Sequence, residues 1–124
     1  MAGQLSGVEG YVECISTGLL AGLALASRAH ATEAVGASGA PYTPPPRTTA
    51  LGSLVHYITH ASSTNYQPAN ISFDLLAPIE GLPKAIARDK RARREKQCER
   101  ALVDFGNWLS GLSSQPQVSV VRHT

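Results

Sequence analysis

The chain is 124 residues long, room for one small domain and not for two. Hydrophobic residues make up 43% of it and charged residues 16%, against the roughly 25% charge of an ordinary soluble domain. A formal net charge of +2 names no partner, and the apolar content excludes full disorder and collagen-like repetition.

The first element opens on Ser6-Gly7-Val8-Glu9, which fits a capping box with Ser6 as N-cap and Glu9 at the third helical position. Val8, Val12, Ile15, Leu19, Leu23 and Ala26 then recur every three or four residues as one apolar stripe. Gly18 and Gly22 weaken a helix unless another backbone comes close. The stripe therefore predicts a buried helix packed hard on a sheet or a neighbouring helix. Little in the remaining chain could supply that sheet. Ile15 to Ala26 also imitates a secretory signal, with Ala29-His30-Ala31 as a look-alike cleavage site. Against a leader, Met1 to Cys14 has no Lys or Arg and carries Glu9 and Glu13. The uncharged stretch Cys14 to Ser27 is shorter than the ~20 residues that span a bilayer, so no membrane partner is expected.

From His30 to Pro46 the composition turns to Ala, Gly, Ser, Thr and Pro. This is a connector with polyproline character at Pro44-Pro45-Pro46. Thr48 or Thr49 caps a second helix, whose stripe is Leu51, Leu54, Val55 and Ile58. Ser62 to Asn70 reads as a polar loop, and Ile71 to Leu76 as a short extended run; Pro78 and Pro83 bracket a turn. A third helix is predicted from Lys84 to Leu112. Its first half is strongly basic, and its second carries the stripe Ala101, Leu102, Phe105, Trp108, Leu109 and Leu112. A solvated first half and a docked second half follow. Val118, Val120 and Val121 leave the tail open between an added strand and disorder.

Cys14 and Cys98 stand far apart without CxxC spacing, which supports neither a disulfide framework nor a zinc site. Two free thiols suit a reducing cytoplasm. His56 and His60 lie one helical turn apart, as metal ligands can, but no H-E-x-x-H glutamate or third ligand accompanies them. The plainer reading is a helix end at which His60 meets the last carbonyls. At the opening, Gly3, Gly7 and Gly10 surround a helix start, where unpaired N–H groups suit a phosphate or an oxyanion. A simply capped helix without a ligand remains the alternative.

Four blocks add a resemblance: GQLSGVEGYVE, STGLLAGLALA, PPRTTALGSLVHYITH and NYQPANISFDLLAPIEG. In this order they resemble the C-terminal part of TrmFO, the bacterial folate- and FAD-dependent tRNA (uracil-5-)-methyltransferase family, over about Ala2 to Leu112. The related GidA (MnmG) flavoproteins of tRNA modification share only the first block. The resemblance implies an α/β family with a Rossmann-type FAD domain, this stretch being mainly α with short extended segments. It implies FAD as cofactor, methylenetetrahydrofolate as carbon donor, NAD(P)H as reductant, tRNA as partner and a cytoplasmic location. It further implies that Gln4, Gly7, Val8, Glu9, Gly10 and Tyr11 lie near the cofactor. Residues 1–31 would close the FAD-binding domain, 32–46 form a linker, 47–112 a C-terminal helical region and 113–124 a tail. Arg47, Thr48 and Thr49 match a family block and receive no role.

The departures are informative. No G-x-G-x-x-G occurs, and the family's catalytic cysteines would lie upstream, so no catalytic residue is assigned here. Cys14 stands where serine is expected and Ala69 where methionine is usual. The expectation is a C-terminal fragment, inactive alone, with a separate polypeptide as one source of the missing portion. A stand-alone RNA- or partner-binding module and a non-functional remnant are the alternatives. Lys84 to Asp104 carries a net charge of +4 while the rest of the chain carries −2. That asymmetry marks Arg91, Arg93, Arg94 and Lys96 as candidate phosphate contacts for tRNA, against a merely solvated face.

Overall fold

The computed structural model describes residues 2–33 and 42–113. A 3-10 turn at Gly3–Ser6 is followed by α1 (Tyr11–Glu33), α2 (Ala50–His60), α3 (Lys84–Arg88) and α4 (Lys90–Ser113). Among the described residues no strand forms, and one parallel bridge pairs Val8 with Ala69. The run 71–76 is not extended. It contains a turn that Leu75 N–H closes onto the Ser72 carbonyl at 3.2 Å. The connector begins later than expected, since His30 to Glu33 continue α1; residues 34–41, and the tail with Val118, Val120 and Val121, lie outside the described residues.

The expected capping box does not form. Ser6 belongs to the 3-10 turn, and its hydroxyl donates back to the Gly3 carbonyl at 2.8 Å. Glu9 N–H donates to Ala69 O at 3.3 Å, so residue 9 is held by a distant segment and stays outside the helix. Gly7 reverses the chain at φ +87°, a left-handed conformation that suits glycine. The first acidic residue inside α1 is Glu13, whose Oε1 accepts from Ile71 N–H at 3.3 Å.

The stripe on α1 is correctly spaced but has no partner within the described residues. Val8 is fully buried, yet Val12 is 74% exposed, Ile15 72% and Leu19 64%. Thr17 and Leu20 are the side chains that α1 buries. A Cβ added at Gly18 or Gly22 would meet nothing within 4 Å. The reading of a buried helix is therefore corrected: among the described residues no element fills the space the two glycines leave. Tyr11–Ala29, 19 residues, is also long and apolar enough to cross a membrane by length and composition alone.

Of the two candidate caps for α2, Thr49 is the one used. Its Oγ1 accepts from Gly52 N–H at 3.0 Å and donates to the Pro46 carbonyl at 2.6 Å. Leu54, Gly52 and Ser53 are buried, and a Cβ on Gly52 would collide with the Pro46 carbonyl. The prolines thus form a rigid strap across the start of α2.

The single basic helix is in fact two. Asp89 is extended, and its Oδ1 accepts from Arg91 N–H at 2.9 Å and Ala92 N–H at 3.4 Å. An aspartate cap starting a new helix wins over continuation of the old one. The docked face of α4 is also rotated. Leu102 is 74% exposed, whereas Gln97 is buried and Ala101, Asp104, Phe105 and Trp108 are half-buried. Thr48 donates to the Asp104 carboxylate, and Trp108 Nε1–H donates to the Thr43 carbonyl at 2.8 Å. Arg100 donates to the Ala77 and Pro78 carbonyls, tying the loop before α3 to α4.

Candidate functional site

Three regions carry the polar chemistry: the glycine-rich opening, the basic face of α4 and the cleft at the end of α2. At the opening, the backbone donors are already committed. Gly7 N–H donates to Gln4 O at 3.0 Å, Val8 N–H to Gly3 O at 3.4 Å and Glu9 N–H to Ala69 O. The Tyr66 ring lies against Gly7, and its hydroxyl donates to the Ser6 carbonyl. Val8 is in the core. Gln4, Glu9 and Tyr11 point outward with Leu5, and Gly10 is half-buried beneath the Glu13 carboxylate. Bare N–H groups at Gly7 to Glu9, which the spacing suggested, are therefore absent. What stays open for a ligand is the first turn of α1 and the exposed Gln4, Glu9 and Tyr11.

Tested against a dinucleotide cofactor, these residues do not make a site by themselves. The described residues contain no strand, and the chain contains no glycine loop to receive a pyrophosphate. The opening can form one wall of such a site and no more.

On α4 the four candidate RNA contacts do not share one face. Arg91 and Arg94 line a hollow of about 540 Å³ with Lys90, Phe73 and Cys98, the Arg94 guanidinium 4.8 Å from the Phe73 ring centre. Arg93 Nη1 donates to the Ala87 carbonyl at 3.2 Å. Arg91 pairs with Glu95 at 3.1 Å and Lys96 with Glu99 at 2.7 Å. The Glu99 hydrogen bond holds the Lys96 ammonium above the ordinary lysine range. Exposed pairs of this kind are worth little. Phe73 escaped sequence reasoning because it comes from a loop with no periodicity, and the Arg100 anchor because the carbonyls it meets, Ala77 and Pro78, lie in the same loop.

At the end of α2, the His56 and His60 rings stack with centroids 4.2 Å apart. His60 Nδ1 lies 3.1 Å from the His56 carbonyl, the helix-end contact that the sequence suggested. The two rings share a hollow of about 430 Å³ with Arg47, Asn65 and Asp74. Loss of water, then the Arg47 guanidinium and the His60 ring, hold His56 below the ordinary imidazole range. Among the described residues no group of three or more His, Cys, Asp or Glu is arranged to hold a metal. Cys14 and Cys98 are free thiols; Cys14 Sγ donates to the Val8 carbonyl at 3.3 Å.

Comparison with known proteins bears on the whole chain. The family model described as glucose inhibited division protein A matches residues 1–33, the opening and all of α1. A methylenetetrahydrofolate–tRNA-(uracil-5-)-methyltransferase TrmFO from Koribacter versatilis is 48% identical over 109 residues, covering 88% of this chain and 23% of that protein. The TrmFO of Symbiobacterium thermophilum is 49% identical over 115 residues, 93% of this chain and 23% of the relative. That of Solibacter usitatus is 53% identical over 102 residues, 82% of this chain and 21% of the relative. The chain thus spans less than a quarter of the length of these curated relatives. By sequence it resembles the C-terminal part of the TrmFO tRNA methyltransferases.

Proposed function

We propose that this chain acts as the C-terminal part of a flavoprotein tRNA uridine C5-methyltransferase that draws its carbon from methylenetetrahydrofolate. In this reading α1 packs its exposed stripe onto the remainder of the enzyme, supplied by a larger or a separate polypeptide. Supporting it most directly is the exposure of Val12, Ile15 and Leu19 on a helix whose every residue lies inside the matched family segment. Burying such side chains is worth about 1.5–3 kcal/mol each, a strong pull toward a partner surface. Gly18 and Gly22 would let that surface approach the helix backbone closely.

Residues 1–31 would then complete an FAD domain, joined by the linker 32–46 to the helical region 47–112. FAD would meet Gln4, Glu9, Gly10 and Tyr11, while Gly7 and Val8 shape the turn that presents them. NAD(P)H and methylenetetrahydrofolate would react on the missing part, and Arg91, Arg93, Arg94 and Lys96 would meet tRNA phosphates in the cytoplasm. Alone, the chain would be colourless and inactive.

The test is co-expression with the other three-quarters of the Koribacter relative. The expected result is co-purification, flavin absorbance in the complex and uracil-5 methylation of tRNA. Ile15→Glu with Leu19→Glu should abolish co-purification while far-UV circular dichroism of the chain is unchanged. Stoichiometric FAD on the isolated chain, absence of association, or insertion of α1 into lipid vesicles instead would overturn the reading.

A further inference from the structure

The cleft at the end of α2 is unused by the proposed function, and its chemistry is particular. Arg47 enters it from the turn before α2, His56, Tyr57 and His60 from α2 itself, and Asn65 and Asp74 from the chain beyond. Among the described residues Arg47 pairs with no carboxylate, so its planar donor fork stays open.

The protonation of His60 can be read from its neighbours. Thr59 Oγ1 donates to the Val55 carbonyl at 2.7 Å, so at its 2.8 Å contact with His60 Nδ1 it accepts. The His56 carbonyl at 3.1 Å is also an acceptor. Nδ1 is therefore assigned the proton, which leaves Nε2 as the acceptor nitrogen. Two stacked imidazoles cannot easily both become cations beside an arginine. An anion in the cleft removes that penalty.

From this geometry we infer that the cleft binds the phosphate of a ribonucleotide unit. Arg47 offers its fork, protonated His56 adds an N–H donor, and Asp74 accepts from a sugar hydroxyl. The phosphate can belong to an RNA backbone or to a free nucleotide; the chemistry is shared. The inference rests on the cleft alone and stands apart from the docking of α1. Binding takes up a proton at His56, so affinity for a phosphodiester, whose own charge is constant over this range, rises as pH falls from about 8 to about 6. Arg47 favours the anion throughout, and Asp74 is the one carboxylate in the cleft that opposes it.

The experiment follows the His56 and His60 ring signals of the full chain by NMR in a phosphate-free buffer. Inorganic phosphate, uridine 5′-monophosphate and the diester uridylyl-uridine are titrated in turn. Saturating shifts with inorganic phosphate are expected, weakened about tenfold by Arg47→Gln, the scale of one charge-assisted hydrogen bond. His56→Gln should flatten the pH dependence of diester binding. Arg47 is exposed and His56 half-buried, and circular dichroism checks that the variants keep their helices. Binding of the diester assigns the site to RNA backbone, and binding of the monoester alone assigns it to a nucleotide's terminal phosphate. Shifts that do not saturate, or that survive Arg47→Gln unchanged, overturn the inference.

Discussion

Ala69 N–H donates to the Gly7 carbonyl at 2.8 Å, and Glu9 N–H returns a bond to the Ala69 carbonyl at 3.3 Å. This pair of bonds fastens the glycine-rich opening to the loop beyond α2. It places Tyr66 over Gly7 and Ile71 beside Glu13. The opening is thus a tertiary structure, held from both sides, rather than a helix cap built from neighbouring residues.

Gly7→Ala should destabilise the chain. Its left-handed backbone alone costs a non-glycine residue about 1–2 kcal/mol, and the new Cβ would also press on the Tyr66 ring. Thermal unfolding followed by circular dichroism should show a clear fall in Tm. An unchanged Tm would mean that the Gly7–Tyr66 packing is dispensable.

Gly18→Ala and Gly22→Ala should do the opposite in the isolated chain. Both positions face open space on a helix, where alanine is better by roughly 0.5–1 kcal/mol. If α1 docks on a partner through these glycines, the same variants should lose affinity in the co-expressed complex. Raised Tm together with weakened association is the expected pair of results.

Thr49→Ala removes the side-chain acceptor for Gly52 N–H and should cost about 1 kcal/mol in urea unfolding. Thr49→Ser keeps the oxygen and should recover most of it. Gly52→Ala should be worse than either, at least the ~1–3 kcal/mol of an overpacked core, because the obstacle is the proline-strap backbone.

His56 gives a pH signature. Its folded-state value lies below the ordinary imidazole range, so below that range the unfolded chain binds the proton more readily. Stability should be flat above about pH 6.5 and fall as the pH drops through that value. Arg47→Gln removes one cause of the depression. It should move the NMR titration midpoint of His56 upward.

On α4, replacing Arg91 and Arg94 by Ala should lower the log–log salt slope of RNA binding by about one unit for each phosphate that the arginines neutralise. Arg93→Ala should change it less, since Arg93 is turned back onto the Ala87 carbonyl. Equal effects at all three positions would point to a diffuse charge field instead of a defined binding face.

Sequence alone located α1, α2 and the basic helical stretch, though not its break at Asp89, because a period of three to four residues is a local property. The α2 start between Thr48 and Thr49, the apolar stripe of α1 and the basic stretch from Lys84 were all legible in it. Family resemblance was legible too, through blocks whose order and spacing survive in the linear chain. Tertiary structure decided which donors stay free, which faces find partners and where distant residues meet. It turned Glu9 outward, left Ile15 and Leu19 uncovered, and on α4 packed Gln97 and Asp104 while exposing Leu102 and Leu109. It also gathered Arg47, His56, His60 and Asp74 around one hollow. Periodicity fixes a helix and its apolar side, but the meeting of distant segments depends on how loops close, and no short-range pattern encodes that.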